Sequence, residues 1–290
     1  MIEIPIHHSS WKERIQAAFL FFTRIPLGRF FSPKREAYES AIEHWPLTGW
    51  VTGPIMGAII FLGSGLLTGI AILLALTARI LITGCLHEDG LIRFLNGMGQ
   101  RGTGRKTVTE SMDGSLNTTN GIVGMILYTL FLWFILNSMN PIQAALTVVA
   151  ADPFCKMLSA QLSMMLPYAA HSYGNQEEIA FRKLDTPSSI ILFLEGCIPL
   201  AIVWILTIWG PLAHLAAEEV GILRSVGLPF AVLVVPGLVM YFLYYLILKK
   251  MHGYNIHCLG AVFLLTELAF YATVFISRQI DFLQMASNYK

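Results

Sequence analysis

The chain has 290 residues, 55% of them hydrophobic and 13% charged, about half the charged share of an ordinary soluble domain. That composition excludes a water-soluble globular domain and points to a protein built into a lipid bilayer. The formal net charge of +1 excludes the broad basic surface that nucleic-acid binding requires, so no nucleic-acid partner is expected.

The first predicted element, residues 9–26, alternates a basic face with an aromatic one in WKERIQAAFLFFTRIP. It reads as an amphipathic helix lying in the membrane interface and closed by Pro26. A polar link, GRFFSPKREAYES, leads to HWPLTGW, where Trp45 and Trp50 are expected at headgroup level. Apolar runs near the roughly 20 residues that cross hydrocarbon follow at 46–66, 67–86, 121–139, 141–166, 188–210, 226–248 and 258–277. The predicted architecture is therefore an all-α, polytopic integral membrane protein of about seven transmembrane helices, with 1–290 forming one membrane domain. Gly49, Gly53, Pro54, Gly57, Gly63, Gly65 and Gly69 interrupt 46–86, which reads either as two spans or as one broken or re-entrant helix. The longest polar stretch, 87–120, is the expected main cytoplasmic loop and active-site loop; its GMGQRGTGRK segment lacks the spacing of a phosphate-binding loop.

With the N-terminus in the cytoplasm, segments 1–45, 87–120, 167–187 and 249–257 hold 14 of the 19 Lys and Arg residues. That satisfies the positive-inside rule and puts every polar motif on one face of the membrane. Arg79 and Lys156 are left within apolar runs, Asp152 sits at i, i+4 from Lys156, and Glu195 and Glu267 are acids inside spans. Asp152 and Lys156 read as a structural pair, and an intramembrane acid is a functional candidate by default. The four cysteines, 85, 155, 197 and 258, have no paired spacing and read as small hydrophobes.

The chemistry concentrates in TGCLHEDGLIRFLNG, residues 83–97. If a helix continues past Gly90, positions 89, 93 and 96 share one face, and three carboxylates there would cage Mg²⁺. The chain instead carries Asp89, Arg93 and Asn96. Arg93 is placed to pair with Asp89, so a structural ion pair is the competing reading. His87 reads as a ligand or base, or as the cap of a helix end. Arg24 reads as a phosphate contact or as a side chain reaching for lipid headgroups.

FFTRIP at 21–26, WPLTG at 45–49, TGCLHEDG at 83–90, LPY at 166–168, CLGA at 258–261 and TEL at 266–268 together resemble the cobalamin synthase family, the adenosylcobinamide-GDP ribazoletransferases. The resemblance implies a magnesium-dependent transferase of the bacterial inner (cytoplasmic) membrane. Such an enzyme joins adenosylcobinamide-GDP to α-ribazole or its 5′-phosphate with release of GMP, at a site supplying position and charge neutralisation. It implies Glu88, Asp89 and Asp113 as metal ligands, and His87, Asp89 and Asp113 as the catalytic set. Arg24, Arg93, Asn96, Ser115, Asn255 and His257 would contact substrate. Where the family resembles H-x-D-G-x-x-D-x-x-D-G, this chain has Arg93 and Asn96 at the later acids. Ser115 stands for an arginine, and Asn255, Ile256 and His257 stand for Thr-Gly-Asp. Weak or lost activity is therefore expected. The alternatives are a non-catalytic corrinoid- or lipid-binding member of the family, whether pseudoenzyme or engineered scaffold, and a small transporter using Glu195, Asp152, Lys156 and Glu267.

Overall fold

The computed structural model describes residues 9–65, 67–100, 105–114, 119–169, 180–208 and 227–288. Twelve α-helices run through the described residues: α1 (Trp11–Phe22), α2 (Arg35–Glu39), α3 (Trp45–Gly63), α4 (Thr68–Thr83), α5 (Leu86–Met98) and α6 (Arg105–Asp113), then α7 (Thr119–Asn137), α8 (Pro141–Ala160), α9 (Leu162–Met165), α10 (Thr186–Ile208), α11 (Gly227–Met251) and α12 (Ile256–Asn288). The fold is all-α, as expected. The span count is lower than expected. Among the described residues five helices are long and apolar enough to cross a membrane, or six if α4 and α5, bent by 89°, count as one broken span. At 16 residues, α4 reaches only about 24 Å, and Gln143, Asp152 and Lys156 interrupt the apolar run of α8.

Helix α8 is the centre of the bundle, with Ala144 through Ala160 almost wholly buried. Helix α3 packs on it along a seam of small residues. A Cβ at Gly49 would lie 2.8 Å from the Pro153 backbone, one at Gly53 would lie 3.3 Å from Val149 Cα, and one at Gly57 would lie 3.0 Å from the Ala145 carbonyl. Lipid tails give helices no hydrophobic reason to associate, so close backbone approach of this kind supplies the dispersion contact that joins them. A second close crossing sets α5 against α12, where a Cβ at Gly90 would be 3.2 Å from Gly260 Cα.

One end of the bundle collects the polar turns. Helix α1 starts from a reciprocal cap between Ser10 and Glu13 and buries Phe22, which stacks on Trp45 at 4.8 Å. Trp45 is 1% exposed, so it is core rather than a headgroup-level aromatic; only Trp50 of the pair reaches the surface, donating its indole N–H to the Glu195 carbonyl at 2.7 Å. Phe181 packs on Phe21 and Phe22, which brings the start of α10 to the same end. Pro167 to Ala169 pairs with Tyr254 through two backbone hydrogen bonds, which brings in the turn between α11 and α12. The described residues of the expected loop 87–120 are largely helical: amphipathic α5 packs against α12 and α7, and α6 packs on α5 and α11.

Candidate functional site

The turn between α4 and α5 fixes the site. Gly84 closes α4 with φ +67° and Cys85 follows at φ 60°, two successive left-handed residues that turn the chain through the bend. Only glycine tolerates the first without strain, and a Cβ there would also strike the Arg24 side chain. Arg24 therefore lies across the entrance to α5, its own N–H bonded to the Ile82 carbonyl, with its side chain exposed.

Helix α5 continues past Gly90, and its successive residues diverge by about 100°. His87 is 1% exposed and sits between the rings of Trp45 (5.6 Å) and Phe263 (4.7 Å), with Nε2 unpartnered. Glu88 also turns inward, where its nearest cation is Arg79 at 3.7 Å. Asp89 turns outward to the polar end of the bundle, its side chain 48% exposed. The expected metal pair of Glu88 with Asp89, supported by His87, is thus split between two faces of the helix.

Arg93 pairs with Asp89, its Nε donating to Oδ2 at 2.7 Å. Its Nη1 donates to the carbonyls of Met112 (3.1 Å) and Gly114 (3.3 Å). Asp89 is thereby joined through Arg93 to the segment that carries Asp113. Asp113 ends α6; its side chain, and Ser115 altogether, lie outside the described residues. Asn96, 2% exposed, accepts the Gly121 N–H at 3.0 Å and so satisfies a donor in the first turn of α7. Asn255 accepts the Cys258 N–H at 3.0 Å and caps α12, its amide turned toward Met112 Sδ at 3.6 Å. The asparagines expected to line a substrate site are helix caps. His257 lies where the charges of both Arg93 and Asp89 act on it. Burial pushes the phenol of neighbouring Tyr254 up, away from ionisation. Lys250, at the end of α11, donates to the Met98 and Gln100 carbonyls and closes α5.

Among the described residues no three His, Cys, Asp or Glu side chains gather to hold a metal ion. The described residues do not by themselves form a magnesium cage: the outward acid of α5 is occupied by a guanidinium, and its neighbour Glu88 faces the interior.

The intramembrane charges form three separate sets. Asp152 pairs with Lys156 at 2.6 Å and accepts from Thr52 at 2.7 Å. Glu267 is held by Arg79, Tyr128 and Tyr271 at 2.7–2.9 Å. Glu195 meets His44 at 2.7 Å, and Glu43 links that histidine to Arg14 at 2.8 Å. The Arg79–Glu267 partnership was not read from sequence; the signal for it was that each is an unmatched charge of opposite sign within its own apolar run. Of the cysteines, 155 and 258 are buried, but Cys85 is exposed on the turn.

A family model described as cobalamin-5-phosphate synthase matches residues 14–275. The chain belongs to that family. Among the relatives of this family that it matches, each named adenosylcobinamide-GDP ribazoletransferase, the protein of Mesorhizobium japonicum is 33% identical over 64% of this chain and 71% of its own length. That of Clostridium novyi is 28% identical over 53% of this chain and 62% of its own, and that of Shewanella pealeana 24% over 68% and 78%. No solved structure matches the chain. The family match begins within α1 and ends within α12, so it spans every segment that builds the polar end of the bundle.

Proposed function

We propose that the chain is a ribazoletransferase of the bacterial inner membrane, N-terminus cytoplasmic, that takes adenosylcobinamide-GDP and α-ribazole or its 5′-phosphate at the polar end of the bundle. The observation that carries this reading is the convergence of Arg24, the start of α5, the end of α6 and the α11–α12 turn, separate in sequence, on one end of a chain matched by the family over residues 14–275. The ribazole hydroxyl oxygen forms the new bond to the phosphorus on the cobinamide arm and gives up its proton to solvent, the bond from that phosphorus to the bridging oxygen breaks, and GMP leaves with that oxygen. Arg24, exposed across the head of α5, holds a diphosphate oxygen. His257 and the Asp89–Arg93 pair border the reacting groups, and the helix caps keep that border rigid.

Magnesium is implied by the resemblance but does not fit the described residues, and no step here passes through it. With Asp89 neutralised by Arg93, charge stabilisation is thin and turnover is slow. The test is GMP release from adenosylcobinamide-GDP by the full chain in nanodiscs, with and without α-ribazole and magnesium. Slow, ribazole-dependent release that falls further in Asp89→Asn supports the proposal. Binding of adenosylcobinamide-GDP with no release under either condition assigns the chain to the non-catalytic corrinoid-binding alternative.

A further inference from the structure

Three oxygens converge on one guanidinium where α5 meets the end of α6. They are Asp89 Oδ2 at 2.7 Å, the Met112 carbonyl at 3.1 Å and the Gly114 carbonyl at 3.3 Å. A carboxylate with backbone carbonyls is the donor set a hard cation takes. The two carbonyls lie at the C-terminal end of a helix, where intrahelical partners run out and the helix dipole favours positive charge. A planar guanidinium matches such a set with several directed N–H groups at once, which an ammonium does not. We infer that Arg93 is a tethered cation filling this oxygen cradle, so that α5 and α6 join without a divalent ion, and that shortening Arg93 opens a site for a small cation.

The physical consequence is specific. Removing the side chain leaves a carboxylate and two carbonyls facing one another across the volume the guanidinium held. A free cation entering that volume binds the folded state and not the unfolded one, so it raises the apparent stability of the variant by mass action. The intact chain has nothing to gain from the same cation, because its cradle is full. Arg93 is a positioning residue: it sets where the end of α6 and Gly114 stand relative to Asp89.

The inference concerns the same end of the molecule as the proposed reaction, but its test reads unfolding rather than turnover, so the two fail separately. Thermal unfolding of the full chain in detergent, followed by tryptophan fluorescence, is compared for the unaltered protein and Arg93→Ala. Each is measured in EDTA, in millimolar magnesium chloride, and in millimolar guanidinium chloride, a concentration far below that which denatures proteins. Sodium chloride matched in ionic strength removes the contribution of screening. The unaltered protein is expected to melt at the same temperature in all four, while Arg93→Ala melts lower in EDTA and recovers at least half of the loss with guanidinium or magnesium. If Arg93→Ala does not fold, Arg93→Gln, which keeps one donor for the carbonyls, is expected to show the same cation response. A variant deficit indifferent to both cations overturns the inference. So does an unaltered protein that gains as much from magnesium as the variant.

Discussion

Lys156 illustrates what a single residue costs this fold when its partner is lost. It is wholly buried, bonded to Asp152 at 2.6 Å and to Thr52 at 3.0 Å, and it lies over the Phe263 ring. Lys156→Met strands the Asp152 carboxylate in an apolar interior and is expected to lower stability by about 3–5 kcal/mol. The double replacement Asp152→Leu with Lys156→Met removes both charges and is expected to recover most of that loss. Thermal unfolding of the two variants in detergent checks the pair; a double variant no better than the single contradicts it. This pair was legible in the sequence because both residues sit one turn apart on one helix. The Arg79–Glu267 contact joins residues 188 apart, and only the assembled bundle brings them together. The direction of Glu88 was illegible for a related reason. Adjacent carboxylates look like one ligand set in sequence, yet on α5 one faces solvent and the other faces Arg79.

At the scale of elements, the contact between α3 and α8 is governed by the absence of side chains. Gly49 meets the Pro153 backbone so closely that a Cβ would sit 2.8 Å from Pro153 Cα and 2.9 Å from Asp152 Oδ1. Backbone cannot swing aside as a flexible side chain does. Gly49→Ala is therefore expected to separate the helices locally at a cost of about 1–3 kcal/mol. Gly237, with nothing within 4 Å of an added Cβ, is the control, and Gly237→Ala is expected to leave the melting temperature unchanged or slightly raised. Equal effects at the two positions would contradict the seam. The glycine periodicity of residues 49–57 was visible in the sequence, but it read as a possible break in the helix. A helix in lipid tolerates glycine when a neighbour covers it, and here α8 does. The polar stretch 87–120 misled in the opposite way. Its low hydropathy suggested a loop, whereas α5 buries His87, Leu91 and Phe94 against the bundle, and α6 returns polar atoms to it through Ser111 and Gln100.

Across the whole molecule, the charges weighed for a transport path are divided among three sets, each with a partner of opposite charge among the described residues. The molecule's open polar chemistry lies instead at the end where α1, the α4–α5 turn, α6 and the α11–α12 turn meet. That convergence was legible as a one-sided distribution of Lys and Arg, because membrane insertion sorts positive charge to one face. The number of crossings was not: where the sequence has seven apolar runs, the described residues hold five helices of spanning length, or six with the bent pair counted as one. The charged centre of α8 is buried among protein neighbours. The central claim is that this end receives the corrinoid nucleotide, and hydrogen exchange of the full chain in nanodiscs, with and without adenosylcobinamide-GDP, tests it most directly. Protection confined to the segment around Arg24 and to residues 84–114 and 250–258 is the predicted result. Protection elsewhere, or none at a ligand concentration that saturates binding, would contradict it.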